Sequence, residues 1–153
     1  MSEKATFATF ETTSGAKIHR IPLEAFPKFW AYVYVVQKGS YCVLIDTGSG
    51  TDLSHENLLA GLQQAEIAAS DLTHVLLSHA HIDHFGGLSK LRPITNARIG
   101  CHELDVQTVA HHEARLALIG RRLAAFLTLI ISTAVVSGCS GRLAAGTVGA
   151  AVS

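Results

Sequence analysis

Residues 75–88, with the sequence VLLSHAHIDHFGGL, combine a short apolar strand pattern with four potential metal ligands. The ligands lie within six consecutive residues and are His79, His81, Asp83 and His84. A spacing of two places the first two histidines on one face of an extended backbone, and the aspartate and the third histidine follow where the chain must turn. Neutral imidazole and carboxylate suit zinc and, less exclusively, iron or manganese. The stretch therefore predicts a strand that ends in a metal-binding turn.

Two further segments carry a resemblance to a known family. The apolar strand that ends in Asp-Thr-Gly at residues 43–48, the lead-in at residues 71–78 and the HxHxDH motif followed by Gly-Gly resemble the metallo-β-lactamase superfamily, in particular its glyoxalase II-like hydrolases. The resemblance runs from about Phe7 to about Leu123. It implies an α/β (α+β) fold, a metallo-β-lactamase-like αββα sandwich represented by its N-terminal half.

The resemblance also implies a role for each motif residue. His79 and His81 would share one metal, and Asp83 and His84 would share a second. Asp46 matches the family aspartate that lies close to the metals without being a principal ligand, and such a carboxylate orients a ligating histidine through its other ring nitrogen. The alternative for Asp46 is an Asx turn that serves only the backbone.

The activity implied by the resemblance is metal-dependent hydrolysis of a small-molecule substrate. A metal-activated water, oriented in part by Asp83, would attack an ester, thioester, lactone or amide, with zinc at two sites or iron or manganese in its place. The family also requires a Gly-His ligand, a bridging aspartate and a final histidine, and we find none of them. We therefore expect weak metal binding and an impaired chain. The alternatives are a non-catalytic metal-binding fragment, a membrane-anchored hydrolase fragment, and completion of the site by a second chain.

The composition changes after Arg122. We therefore divide the chain into residues 1–122, the N-terminal half of a metallo-β-lactamase-like domain, and residues 123–153, an atypical apolar helix with an Ala/Gly/Ser-rich tail. We favour a truncated or frame-shifted hydrolase as the explanation. A membrane anchor through residues 123–139, preceded by two arginines, is the alternative, although its apolar run is at or below the length needed to span a bilayer. A third interpretation is the resemblance of residues 136–139 to a lipoprotein cleavage box, against which its internal position argues.

Charge and cysteine content limit the remaining classes. The 153 residues carry 12 basic and 12 acidic side chains without a basic stripe, so we expect no nucleic-acid partner. Three widely spaced cysteines without a CxxC pair indicate reduced thiols and a cytoplasmic location, with membrane association as the alternative. Residues 1–6 lack the apolar region of a signal peptide.

The remaining patterns predict a sheet followed by a helix. We expect a strand from Ala16 to Ile21 that ends at Pro22, and a hairpin from residues 30–37 to 41–45 that is buried on both faces. Residues 52–65 read as a helix with Ser54 as a candidate cap. Of the two possibilities for the aromatic cluster Phe26, Phe29 and Trp30, lining a groove or capping the core, we favour the core.

Overall fold

The computed structural model describes residues 5–112, and its strands and helices lie between Ala8 and Ala110. The strands are β1 (Ala8–Glu11), β2 (Lys17–Phe26), β3 (Phe29–Lys38), β4 (Tyr41–Ile45), β5 (His74–Leu76) and β6 (Arg98–Gly100). The α-helices are α1 (Asp52–Gln64), α2 (Ile82–Phe85), α3 (Leu88–Leu91) and α4 (Val106–Ala110), and short 3₁₀ helices lie at Ala69–Asp71 and Arg92–Ile94. No helix between residues 5 and 112 is long and apolar enough to cross a membrane. The predicted division at residue 122 and the possible anchor at residues 123–139 lie outside the described residues.

The six strands form one sheet in the order in which they occur in the sequence. β1 to β4 are antiparallel neighbours, and β4, β5 and β6 are parallel. Parallel strands need crossover connections, which α1 supplies between β4 and β5, and α2 and α3 supply between β5 and β6. This mixed sheet with helices confirms the predicted α+β fold. It also places the carboxyl ends of β4 and β5, where the two predicted site loops begin, side by side.

The predicted end of a strand at Pro22 is wrong, because β2 continues through it to Phe26. Pro22 pairs with Tyr32 of β3, whereas the pairing of β1 with β2 ends at Arg20. On its β1 side, β2 is therefore an edge strand at Pro22. A missing N–H costs no ladder hydrogen bond when it faces an open edge.

The core lies between the sheet and α1. Leu58 and Leu62 of α1 and Ile21 of β2 are almost completely buried, and an added Cβ at Gly61 would overlap the side chain of Ile21. Glycine thus lets the helix approach the sheet closely. The helix begins where predicted, but its cap is Thr51, whose hydroxyl accepts the Ser54 backbone N–H.

The opposite face of the sheet is open in the part of the chain that the structure describes. Trp30, Tyr32 and Tyr34 alternate with buried valines along β3 and are 36–38% exposed. Phe26 and Phe29 at the hairpin tip are exposed as well. The expectation that this hairpin is buried on both faces, and that its aromatic cluster caps the core, is therefore wrong. A nearly continuous apolar pattern showed that both faces are apolar, but not that both are covered.

Candidate metal centre

The loop after β4, residues 46–51, is held in place by hydrogen bonds to the metal-motif turn, residues 78–87. The Thr47 backbone N–H and hydroxyl both donate to the His84 carbonyl, at 2.6 and 3.0 Å, and the Gly87 N–H donates to the Gly48 carbonyl at 2.9 Å. Added Cβ atoms at Gly50 and Gly86 would each overlap the opposite loop's backbone. The two glycine-containing loops are therefore packed backbone against backbone.

The metal-motif turn begins just beyond β5. Residues 78–80 form a bend and His81 is extended, with φ −92° and ψ 145°, before α2 begins at Ile82. The first two histidines thus lie in the connection rather than on the strand itself. Asp83 and His84 lie in the short helix α2, which confirms that the chain turns at this point.

His79 lies in contact with both of the other motif histidines. His79 Nε2 is 2.9 Å from His81 Nδ1, and the ring centroids of these residues are 4.5 Å apart. The ring centroid of His84 lies 4.0 Å from that of His79. At this distance one nitrogen donates to the other, and a metal ion held by both rings would take the place of that hydrogen.

Asp83 and His84 form a second pair of donors. His84 Nε2 lies 3.5 Å from Asp83 Oδ2. Two ligands of one tetrahedral zinc, each at about 2.0–2.1 Å from the metal, are about 3.3 Å apart. The spacing of this pair is therefore close to that of two ligands on one zinc ion.

Asp46 is the buried acceptor behind both donor pairs. It has a positive φ of 64°, which aspartate tolerates better than most residues, and its side chain is only 8% exposed. Its Oδ1 accepts the Ser78 backbone N–H at 2.8 Å. Its Oδ2 accepts from the Ser78 hydroxyl at 2.7 Å and from His84 Nδ1 at 2.8 Å. Asp46 thus contacts side chains beyond its own turn.

Ser78 is the site residue that sequence reasoning missed. Its hydroxyl contacts both Asp46 and His79, at 2.7 and 3.0 Å. The only signal in the sequence is its position directly before the first motif histidine. Other histidines lie apart from this cluster: His74 contacts Thr73, and His102 accepts the Leu104 N–H.

The chemistry of the donor set fits a metal such as zinc, because it offers three imidazoles and a carboxylate on a partly exposed surface. Within residues 5–112, however, no group of three or more His, Cys, Asp or Glu side chains is arranged around a common metal position. The described residues therefore supply two pairs of donors, His79 with His81 and Asp83 with His84, rather than a closed site.

Comparison with known proteins identifies the family. The family model described as Metallo-beta-lactamase superfamily matches residues 31–132. The chain is 34% identical over 85 residues to the lactamase-like protein adaB of Aspergillus niger, a match that covers 54% of this chain and 26% of that protein. It is 40% identical over 52 residues to metallo-beta-lactamase domain-containing protein 1 of Xenopus laevis, covering 34% of this chain and 22% of that one. The chain thus spans about a quarter of these relatives.

Solved structures agree on the fold. A metallo-beta-lactamase family protein from Thermus thermophilus superposes with a TM-score of 0.54 at 24% identity, over 66% of this chain and 36% of that chain. A subclass B3 metallo-beta-lactamase isolated from a soil metagenome library gives a TM-score of 0.53 at 22% identity, over 67% of this chain and 34% of that chain. The mixed sheet, the two facing glycine-containing loops and the family match over residues 31–132 lead to one conclusion: the chain belongs to the metallo-beta-lactamase superfamily.

Proposed function

We propose that this chain carries the metal-binding part of a metal-dependent hydrolase, with zinc as the preferred metal and iron or manganese as substitutes. His79 and His81 would hold one ion, and Asp83 and His84 would hold a second ion beside it. The observation that carries the proposal is the pairwise convergence of donors, 2.9 Å between the first two residues and 3.5 Å between the second two. The expected number of family ligands exceeds these four, so binding by this chain would be weak.

The site residues would hold the metals and also leave them accessible from solvent. Asp46 is buried and keeps His84 in place through Nδ1, while the His84 side chain is 24% exposed and its Nε2 is directed at Asp83. His81 is exposed as well, so a substrate can approach from solvent. A divalent metal held here would act as a Lewis acid and lower the pKa of water towards about 7. We propose that the Asp83 carboxylate also helps to orient the attacking water.

The reaction class follows from the family rather than from a pocket in this chain. We propose a small-molecule ester, thioester, lactone or amide as substrate. The chain spans about a third of the solved relatives that it matches, with coverage of 34% and 36%. With two donors for each metal among residues 5–112, we expect impaired turnover by this chain alone. A second chain that supplies further ligands would restore it.

The test is zinc-dependent hydrolysis of a generic thioester and a generic lactone. We expect slow turnover that disappears in His81→Ala and with a chelator, and that persists in His102→Ala, a matched loss of an exposed histidine outside the cluster. Equal rates in the original chain, in His81→Ala and with chelator would refute hydrolysis by this site.

The second candidate is a non-catalytic metal-binding fragment. It is favoured by the absence, within residues 5–112, of any group of three donors around one position. Zinc that binds to the original chain and not to His81→Ala, with no difference in hydrolysis between them, would establish this alternative over the enzyme.

Location and macromolecular partners are further proposals. The sparse, unpaired cysteines favour the cytoplasm, and the described ones, Cys42 and Cys101, are free thiols. Membrane association through residues 123–139 is the alternative. The zero net charge favours no nucleic-acid partner. Fractionation of cells that express the full chain separates the two locations.

A further inference from the structure

The Ser78 hydroxyl joins the buried carboxylate of Asp46 to His79. An ionised carboxylate only accepts hydrogen bonds, so the single hydroxyl proton of Ser78 is donated to Asp46 Oδ2 at 2.7 Å. The same hydroxyl oxygen lies 3.0 Å from His79 Nδ1 and has only lone pairs left for that contact. His79 must therefore donate from Nδ1. Ser78 Oγ also lies 3.4 Å from His84 Nδ1, but that nitrogen has a shorter contact of 2.8 Å with Asp46 Oδ2.

The same reasoning applies directly to His84. Its Nδ1 donates to Asp46 Oδ2, so its Nε2 carries a lone pair in the neutral ring. In His79 the bond to Ser78 leaves Nε2 with the lone pair, and this nitrogen faces His81 Nδ1 at 2.9 Å. Both histidines thus present Nε2 away from Asp46 and towards the proposed metal positions.

We propose that Ser78 is a positioning residue that transmits the charge of Asp46 to His79, so that one carboxylate fixes the ring tautomers on both sides of the centre. Asp46 acts on His84 directly and on His79 through the Ser78 hydroxyl. The benefit of these tautomers rests on the proposed metal-binding function, whereas the tautomers themselves are a property of the metal-free chain. Removal of an outer partner of a metal-binding histidine typically lowers metal affinity by about 10- to 100-fold.

The tautomers can be measured without any metal. The full chain, labelled with ¹⁵N-histidine and dialysed against chelator, is examined by two-bond proton–nitrogen correlation spectra at about pH 8.5, above the ordinary histidine pKa of about 6.5. Protonated and bare ring nitrogens resonate far apart in such spectra. His79→Gln and His84→Gln assign the two rings.

Three variants separate the direct bond from the transmitted one. Ser78→Ala should convert His79 from the Nδ1–H form to a mixture of tautomers and leave His84 as Nδ1–H. Ser78→Thr keeps the hydroxyl and should restore the original spectrum. Asp46→Asn should disturb both rings, because an amide N–H₂ would replace the acceptor, and asparagine tolerates the positive φ of 64° at this position. Ser40→Ala, in the exposed turn between β3 and β4, is the matched control and should change neither ring.

Two results would overturn the inference: a His79 ring protonated at Nε2 in the original chain, or an unchanged His79 spectrum in Ser78→Ala. Zinc titration by calorimetry adds a second readout, in which Ser78→Ala should weaken binding at least about tenfold and Ser78→Thr should not. If the original chain takes up no zinc, the proposed metal function fails, and the metal-free spectra still decide whether Ser78 fixes the tautomer of His79.

Discussion

Substitution of Gly50 by alanine tests whether the two site loops are packed backbone against backbone. Gly50 has a φ of +81°, and an added Cβ would overlap the Gly86 carbonyl group, whose carbon would lie 2.8 Å away. Gly15 provides a matched control, because its φ is +77° and an added Cβ would meet nothing within 4 Å. Both variants suffer the strain of a side chain in the left-handed region, about 1–2 kcal/mol. Only Gly50→Ala also forces a backbone group aside.

The forced contact sets the expected difference. Overpacking in a close-packed region costs about 1–3 kcal/mol, so we expect Gly50→Ala to lower the free energy of unfolding by about 2–5 kcal/mol and Gly15→Ala by about 1–2 kcal/mol. Urea denaturation followed by the fluorescence of the single tryptophan, Trp30, measures both. Losses that agree within about 0.5 kcal/mol would refute the close approach of the loop after β4 to Gly86, since strain alone would then account for both.

Three further predictions concern the core and its titratable groups. Leu58→Ala, at a fully buried position of α1, should lower the free energy of unfolding by about 2–5 kcal/mol. Leu59→Ala, at a neighbouring position that is 37% exposed, should lower it by clearly less. Equal losses in urea denaturation would contradict the assignment of Leu58 to the buried face of the helix. Burial raises the pKa of the Cys42 thiol, and a nearby carboxylate adds to the effect. Iodoacetamide should therefore modify Cys42 at least about tenfold more slowly than the half-buried Cys101. If peptide mass spectrometry finds the reverse order, Cys42 does not lie in the core. Burial, together with a nearby lysine ammonium, lowers the pKa of His55 below its ordinary 6.5. As the pH falls, His55 is therefore protonated in the unfolded chain before it is protonated in the folded chain. The contribution of His55 to stability is complete above pH 6.5 and is lost below it. His55→Gln should therefore flatten the decline of the unfolding free energy below pH 6.5, and an unchanged pH profile would show that His55 carries no such effect.

The parts of the fold that could be predicted are those with strong local patterns. The helix at residues 52–64 and the hairpin β3–β4 follow from apolar periodicity and turn residues. The turn at Asp83 follows from its place after an apolar strand. Local patterns do not show what lies across a strand, so neither the tolerance of Pro22 on an open edge nor the exposure of the aromatic face of β3 could be predicted.

The candidate site was predicted as a set of residue types but not as a network. Motif spacing indicated the four donors and the family resemblance indicated Asp46, and the structure brings these residues close together. The role of Ser78 depends on Asp46, a residue 32 positions earlier in the chain that becomes a neighbour only when β4 and β5 pair. Such a contact has no periodicity and no local spacing, so the position of Ser78 next to the motif is the only signal that the sequence carries for it.

The most direct test of the account is the zinc content of the full chain after equilibration with buffered zinc, measured by elemental mass spectrometry. The two donor pairs predict up to about two zinc ions per chain, with little left in the double variant His79→Ala/His84→Ala and no loss in His102→Ala. Zinc content that is the same in the original chain and in the double variant would show that the motif at residues 79–84 does not bind the metal, and would contradict the central claim.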